Sequence, residues 1–149
     1  MKKVIVSLIA VLLIGIVFSS SVPDTACIAH AKTNQSINLM NRYKKLVRKC
    51  KEKYKYDGSQ AEMNHNAYNE YQTWDKELNF VYFKIYKSLS ASSKKVLKKS
   101  QLAWISKKEK DAKAAAADWE GGSGETTAYY GSLIVSTKKR VRWLINHYA

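Results

Sequence analysis

From Lys32 to the end at Ala149 the chain has no proline, and its glycines are confined to Gly58, Gly121, Gly122, Gly124 and Gly131. Proline and glycine are the residues that most often end a helix or shape a turn, so their scarcity predicts long helices with few breaks. Strands at regular spacing would have no turn signals to separate them.

The apolar period agrees. Ile37, Met40, Tyr43, Val47, Cys50 and Tyr54 recur every three or four residues up to Asp57-Gly58, with Lys44, Lys45, Lys49, Lys51 and Lys53 on the other faces. Ser59-Gln60-Ala61-Glu62 has the S-x-x-E form of a capping box. There the serine oxygen accepts the N–H three residues on and the glutamate accepts the serine N–H, so a second helix starts at this point. Its stripe is Met63, Ala67, Tyr71, Trp74, Leu78, Val81, Ile85 and Leu89, and it is expected to end between Ser88 and Ser92. A third helix, about 92–119, carries Leu97, Gln101, Trp104, Ile105, Ala112, Ala115 and Trp119 before Gly121-Gly122-Ser123-Gly124 stops it. A fourth, about 126–148, carries Tyr130, Leu133, Ile134, Thr137, Val141, Leu144 and Tyr148. Four helices with one apolar stripe each hide those stripes against one another, so the expected fold is all-α, an antiparallel bundle of about four helices.

The first 31 residues read as an address. Met1-Lys2-Lys3 is a basic start, residues 4–18 are apolar apart from Ser7 and Gly15, and Ala29-His30-Ala31 has the A-x-A form of a cleavage site. That apolar run is shorter than the about 20 residues a membrane span needs, which favours a cleaved signal peptide over a retained anchor. The expected division is therefore 1–31 signal peptide, 32–58 basic N-terminal helix and 59–149 helical domain, with a secreted or cell-envelope location. Beyond the signal only Cys50 remains, so no intramolecular disulfide is available. His65 and His147 beside one thiol make no metal-ligand cluster, and no motif calls for a cofactor.

The formal net charge is +14, yet Glu62, Glu70, Asp75 and Glu77 stand against a single Lys76 in residues 60–82. Two readings of these acids are open. They are counter-charges for the lysine-rich helices on either side, or they form a docking ridge of Glu70, Asp75, Glu77 and Asn79 for a cationic partner. The lysines, above all Lys44, Lys45, Lys49, Lys94, Lys95, Lys98 and Lys99, suit polyanions such as envelope polymers or acidic membrane surfaces, with no sign of specific nucleic-acid recognition. Trp74, Trp104 and Trp119 fall on apolar stripes and are expected in the core, with Trp74 and Trp104 between the second and third helices. Trp143 lies off its stripe and is expected to be exposed. Catalysis finds little support. Glu70 and Glu77 lie two turns apart on one helix rather than opposed across a cleft, and no Ser or Cys has a triad context, so no enzyme activity is expected.

Several motifs occur in a particular order: "QAEMN", "EY", "DKELN", "VY", "SQLAWI", "EGGS" and "STKKR" followed by an apolar residue. Together they resemble the secreted LprI-type lysozyme-inhibitor family over residues 60–144. The resemblance implies a small exported helical domain that binds and inhibits a muramidase without catalysis. The chain departs from the family at three cysteine positions, where Asn66, Ala112 and Ser132 stand, and at an Arg-Asp pair replaced by Lys108 and Glu109. The latter change keeps the charges and loses the guanidinium fork.

Overall fold

The computed structural model describes residues 33–149; the signal segment expected for residues 1–31 lies outside the described residues. Four helices follow in order: α1 Asn34–Lys53, α2 Gln60–Ser88, α3 Ala91–Ala117 and α4 Glu125–Tyr148, with no strand among the described residues. The all-α bundle is the fold.

Local chemistry sets the helix starts. Thr33 Oγ1 accepts the Ser36 N–H at 3.1 Å, and Ser90 Oγ accepts that of Ser93 at 3.3 Å. The capping box at α2 is complete, with the Ser59 N–H donating to Glu62 Oε2 at 2.8 Å and the Glu62 N–H to Ser59 Oγ at 3.4 Å. Each such cap is worth about 1 kcal/mol.

The side-chain pairings give the helix directions. From α1 to α2 they run Arg42 with Glu77, Tyr54 with Thr73 and Tyr56 with Glu70, one index rising as the other falls. From α3 to α4 they run Gln101 with Arg140 and Glu109 with Tyr129, again in opposite senses. Between α2 and α4 both indices rise together, Gln60 with Thr127 and Glu70 with Lys138. Successive helices are thus antiparallel, α2 and α4 are parallel, and α4 packs against all three others, most extensively against α2.

Two buried clusters result. The larger joins Leu39 of α1, Leu78, Val81, Tyr82 and Ile85 of α2, Leu97 of α3, and Val141, Leu144 and Ile145 of α4. The second gathers Cys50, Tyr54, Trp74 and Ile134, with Tyr43, Leu46 and Tyr71 packed against them.

Four expectations are corrected. The buried face of α1 is Ser36, Leu39 and Cys50 with Tyr43 and Leu46 half-buried, whereas Ile37 and Val47 are exposed. The true seam alternates spacings of three and four from 36 to 50, and a count of apolar residues drifted off it because a small serine opens it. Trp119 is 56% exposed, since α3 has already ended at Ala117. Trp104 and Trp143 are both half-buried, and each packs against the larger cluster. The Arg140 guanidinium of α4 lies 5.7 Å from the centre of the Trp104 ring, so Trp104 faces α4 rather than filling a seam between α2 and α3. Trp143 is not a free ring, being stacked on His147 at 4.5 Å and covered by the Arg140 guanidinium at 4.2 Å.

Candidate functional site

The residues of the expected acidic ridge do not come together as an exposed surface. Glu77 is buried and held by Arg42, whose Nε donates to its two carboxylate oxygens at 2.7 and 2.9 Å. Glu70 is buried too, accepting from Lys138 Nζ at 2.7 Å, Tyr56 Oη at 2.9 Å and Trp74 Nε1 at 3.2 Å. A carboxylate removed from water persists only when it is paired and hydrogen-bonded, and both are. They tie α1 and α4 to α2. Asp75 and Asn79 keep partial access to solvent, with the Asn79 amide donating to Asp75 at 3.3 Å. Burial pushes the Asp75 carboxyl above its ordinary range, and Lys108 opposes the shift. Desolvation likewise pushes the Cys50 thiol up to about 11, so this free, buried cysteine is protonated at neutral pH.

Of the polyanion set, Lys44, Lys45, Lys49, Lys95, Lys98 and Lys99 are exposed, while Lys94 is half-buried with its Nζ 5.4 Å from the Tyr86 ring centre. None of the seven takes part in an ion pair among the described residues.

The quoted motifs turn out to be a lattice of buried and half-buried polar contacts. Arg140 of "STKKR" donates to Gln101 Oε1 and Ser100 Oγ of "SQLAWI", both at 2.9 Å. Buried Lys108 donates to Tyr71 Oη at 3.0 Å and lies 5.1 and 5.2 Å from the Tyr71 and Trp104 ring centres. The Asn66 amide donates to the Lys55 carbonyl at 2.7 Å, joining the start of α2 to the loop after α1. Gln60 and Asn64 of "QAEMN" meet Thr127 at 3.1 and 2.6 Å, and Asn64 Nδ2 donates to the Ser123 carbonyl at 3.0 Å.

That last bond leads to a feature the sequence reading missed. Between Lys113 and Lys138 there is no cation, and the α3–α4 connection carries Asp118, Glu120 and Glu125 around Trp119. The connection is braced at four points. The Gly121 N–H donates to Glu125 Oε2 at 3.0 Å, with Gly121 at φ +72°, a conformation open to glycine. The Gly122 N–H reaches the Trp119 carbonyl at 2.8 Å, and Asn64 holds Ser123 from α2. Trp119 lies across Gly124, where an added Cβ would come 2.7 Å from its Cε3. An exposed indole thereby lies against Gly124 on a braced acidic loop at the end of the bundle. The signal was legible in part: Trp119 stands between two acids immediately before the glycine run, where a helix is stopping rather than packing.

Along α3 and α4 there is also an open groove of about 870 Å³, lined by Trp104, Lys107, Ala115, Gly131, Val135 and Trp143 among others. Among the described residues no group of three or more His, Cys, Asp or Glu side chains is placed to hold a metal ion.

A family model described as lysozyme inhibitor LprI matches residues 50–144, well over half of the chain. No curated protein and no solved structure matches it.

Proposed function

The chain belongs to the lysozyme inhibitor LprI family, and from that premise we propose that it is an exported, non-catalytic protein that binds and inhibits a lysozyme-type muramidase through its α3–α4 loop. The observation that carries the loop assignment is the exposed Trp119, fixed by Gly124 and flanked by Asp118 and Glu120. Common lysozymes are cationic, so a local acidic tip has the right sign for them even though the +14 of the whole chain opposes their approach at long range. A rigid tryptophan loses little conformational freedom on docking, which is why such rings dominate binding energy at interfaces. Glu70 and Glu77, already satisfied inside the bundle, tie α4 and α1 to α2. Asp75 and Asn79 stay as a secondary edge.

The test is inhibition of lysozyme-driven cell-wall lysis. Trp119→Ala is expected to weaken inhibition by roughly thirtyfold or more, the scale of a tryptophan hot spot, with an unchanged melting temperature. Gly124→Ala, which displaces the ring without removing it, should fall in between. Absence of inhibition at micromolar native protein sinks the proposal, and equal inhibition by native and Trp119→Ala sinks the loop assignment.

A second reading, adhesion to anionic envelope polymers, has its own support: Lys44, Lys45, Lys49, Lys95, Lys98 and Lys99 are exposed and unpaired among the described residues. Retention on teichoic acid should then fall steeply from low to high salt, because exposed charge is screened. Retention that ignores salt would leave these lysines as solubilising groups only. Either reading suits a secreted or envelope-associated protein.

A further inference from the structure

Phe80 and Phe83 are 38% and 49% exposed on α2, one turn apart and on the side away from the core. Lys76, Lys84 and Lys87 are exposed beside them. At 100° per residue these five positions occupy a sector of about 100°, a continuous strip in which lysine and phenylalanine share one face. The acids of α2 lie elsewhere. Glu70 and Glu77 are buried against Lys138 and Arg42, Asp75 is half-buried and accepts from Asn79, and Glu62 closes the cap at the far end. From α1, the Arg42 guanidinium lies over the Phe80 ring at 4.2 Å, and Lys84 Nζ is 5.9 Å from the same ring centre.

Phe80 has a structural use, since it roofs the Arg42–Glu77 pair. Phe83 touches the edge of Tyr82 at 5.6 Å and leaves half its surface in water. An apolar ring held out between lysines loses hydration free energy that nothing in the bundle recovers.

We propose that this face of α2 seats the protein on an anionic phospholipid bilayer, with Phe83 entering the headgroup boundary and Lys76, Lys84 and Lys87 meeting lipid phosphates. The chemistry selects that partner. A soluble polyanion satisfies the lysines and leaves Phe83 wet, whereas a bilayer surface offers anionic charge and, a few ångströms deeper, an apolar layer for the ring. Lysine stems cover apolar surface while their ammonium groups stay at the charged level. The strip is separate from the acidic loop. Asn64, which holds that loop, lies 19 residues before Phe83 on the same helix, about 28 Å at 1.5 Å per residue. A bilayer at one end therefore leaves the Trp119 loop free at the other, and the proposal stands whether or not a muramidase binds there.

The test uses residues 33–149, within which the four helices close both clusters, so that the apolar run 4–18 is absent from every sample. Partition is measured on vesicles of phosphatidylcholine alone and of phosphatidylcholine with an equal part of phosphatidylglycerol. Native protein should prefer the anionic vesicles, and Phe83→Ser should weaken that partition by roughly fivefold to tenfold, the scale of a partly inserted ring. Its melting temperature and its retention on soluble teichoic acid should not change. Changing Lys76, Lys84 and Lys87 to Gln should remove the salt-sensitive part of binding. Equal partition of Phe83→Ser and native protein would overturn the proposal and reduce vesicle binding to charge adsorption. A native protein indifferent to phosphatidylglycerol would overturn it as well, as would a Phe83→Ser variant that loses teichoic acid to the same degree.

Discussion

Replacing Trp74 with alanine is expected to cost about 3–5 kcal/mol, the range for deleting a large buried aromatic side chain. Trp74 has no exposed surface and sits where three helices meet. Tyr43 of α1 lies against it at 5.6 Å, Ile134 of α4 closes the second cluster beside it, and Lys138 Nζ is 5.2 Å from its ring centre. Its Nε1 also donates to Glu70 at 3.2 Å. Alanine would open a void next to Cys50 and take one of three donors from a buried carboxylate, so transfer, cavity and hydrogen-bond losses add. Against a total stability of about 5–15 kcal/mol for a domain, that is a large fraction. Trp104→Ala should cost clearly less, since its indole is half-buried and replaceable in part by water. Urea midpoints of the two variants provide the check. Equal losses, or a loss under about 1 kcal/mol at Trp74, would mean that the second cluster does not hold α1 and α4 to α2.

The sequence made α2 and α4 legible because both are amphipathic helices whose buried positions are occupied largely by apolar residues. Ala67 is buried, the stripe from Tyr71 to Leu89 lies within or against the two clusters, and the capping box at Ser59 and Glu62 forms as the spacing requires. On α1 the same reasoning held at Met40, Tyr43, Cys50 and Tyr54 and missed at two positions, because Ser36 occupies a buried place while Ile37 and Val47 do not. Periodicity sees apolar side chains, and a short polar one on the seam is invisible to it. The acidic ridge failed for a different reason. Helical spacing puts Glu70 and Glu77 on one face, but whether that face meets water or a cation depends on Arg42 and Lys138, 35 and 68 residues away in sequence. Trp119 was misassigned because it continues the spacing of Ala112 and Ala115 past the point where α3 stops. Phe83 reaches solvent two residues from buried Val81 and Ile85, and only the packing of α2 shows that no helix among the described residues covers it.

Arg42 and Glu77 should respond unequally to mutation, and the inequality separates a structural role for Glu77 from a docking one. The pair joins an arginine side chain that is 52% exposed to a carboxylate that is only 3% exposed, at 2.7 Å. Arg42→Ala strands a charge in the interior and removes the stacking cover of Phe80, so a loss of about 3–5 kcal/mol is expected. Glu77→Gln leaves the arginine free to swing into water and keeps a hydrogen-bonding group in place, so about 1–2 kcal/mol is the appropriate scale. Thermal melts of both variants at pH 7 test this. If Glu77→Gln is the costlier change, Glu77 is not a buried anchor. Should Glu77→Gln abolish muramidase inhibition while leaving the melting temperature untouched, the contact surface would lie on α2. With the carboxylate buried as it is, the expected result is the reverse: a modest loss of stability and unaltered inhibition, because the side chain that a partner would have to reach is already inside the bundle.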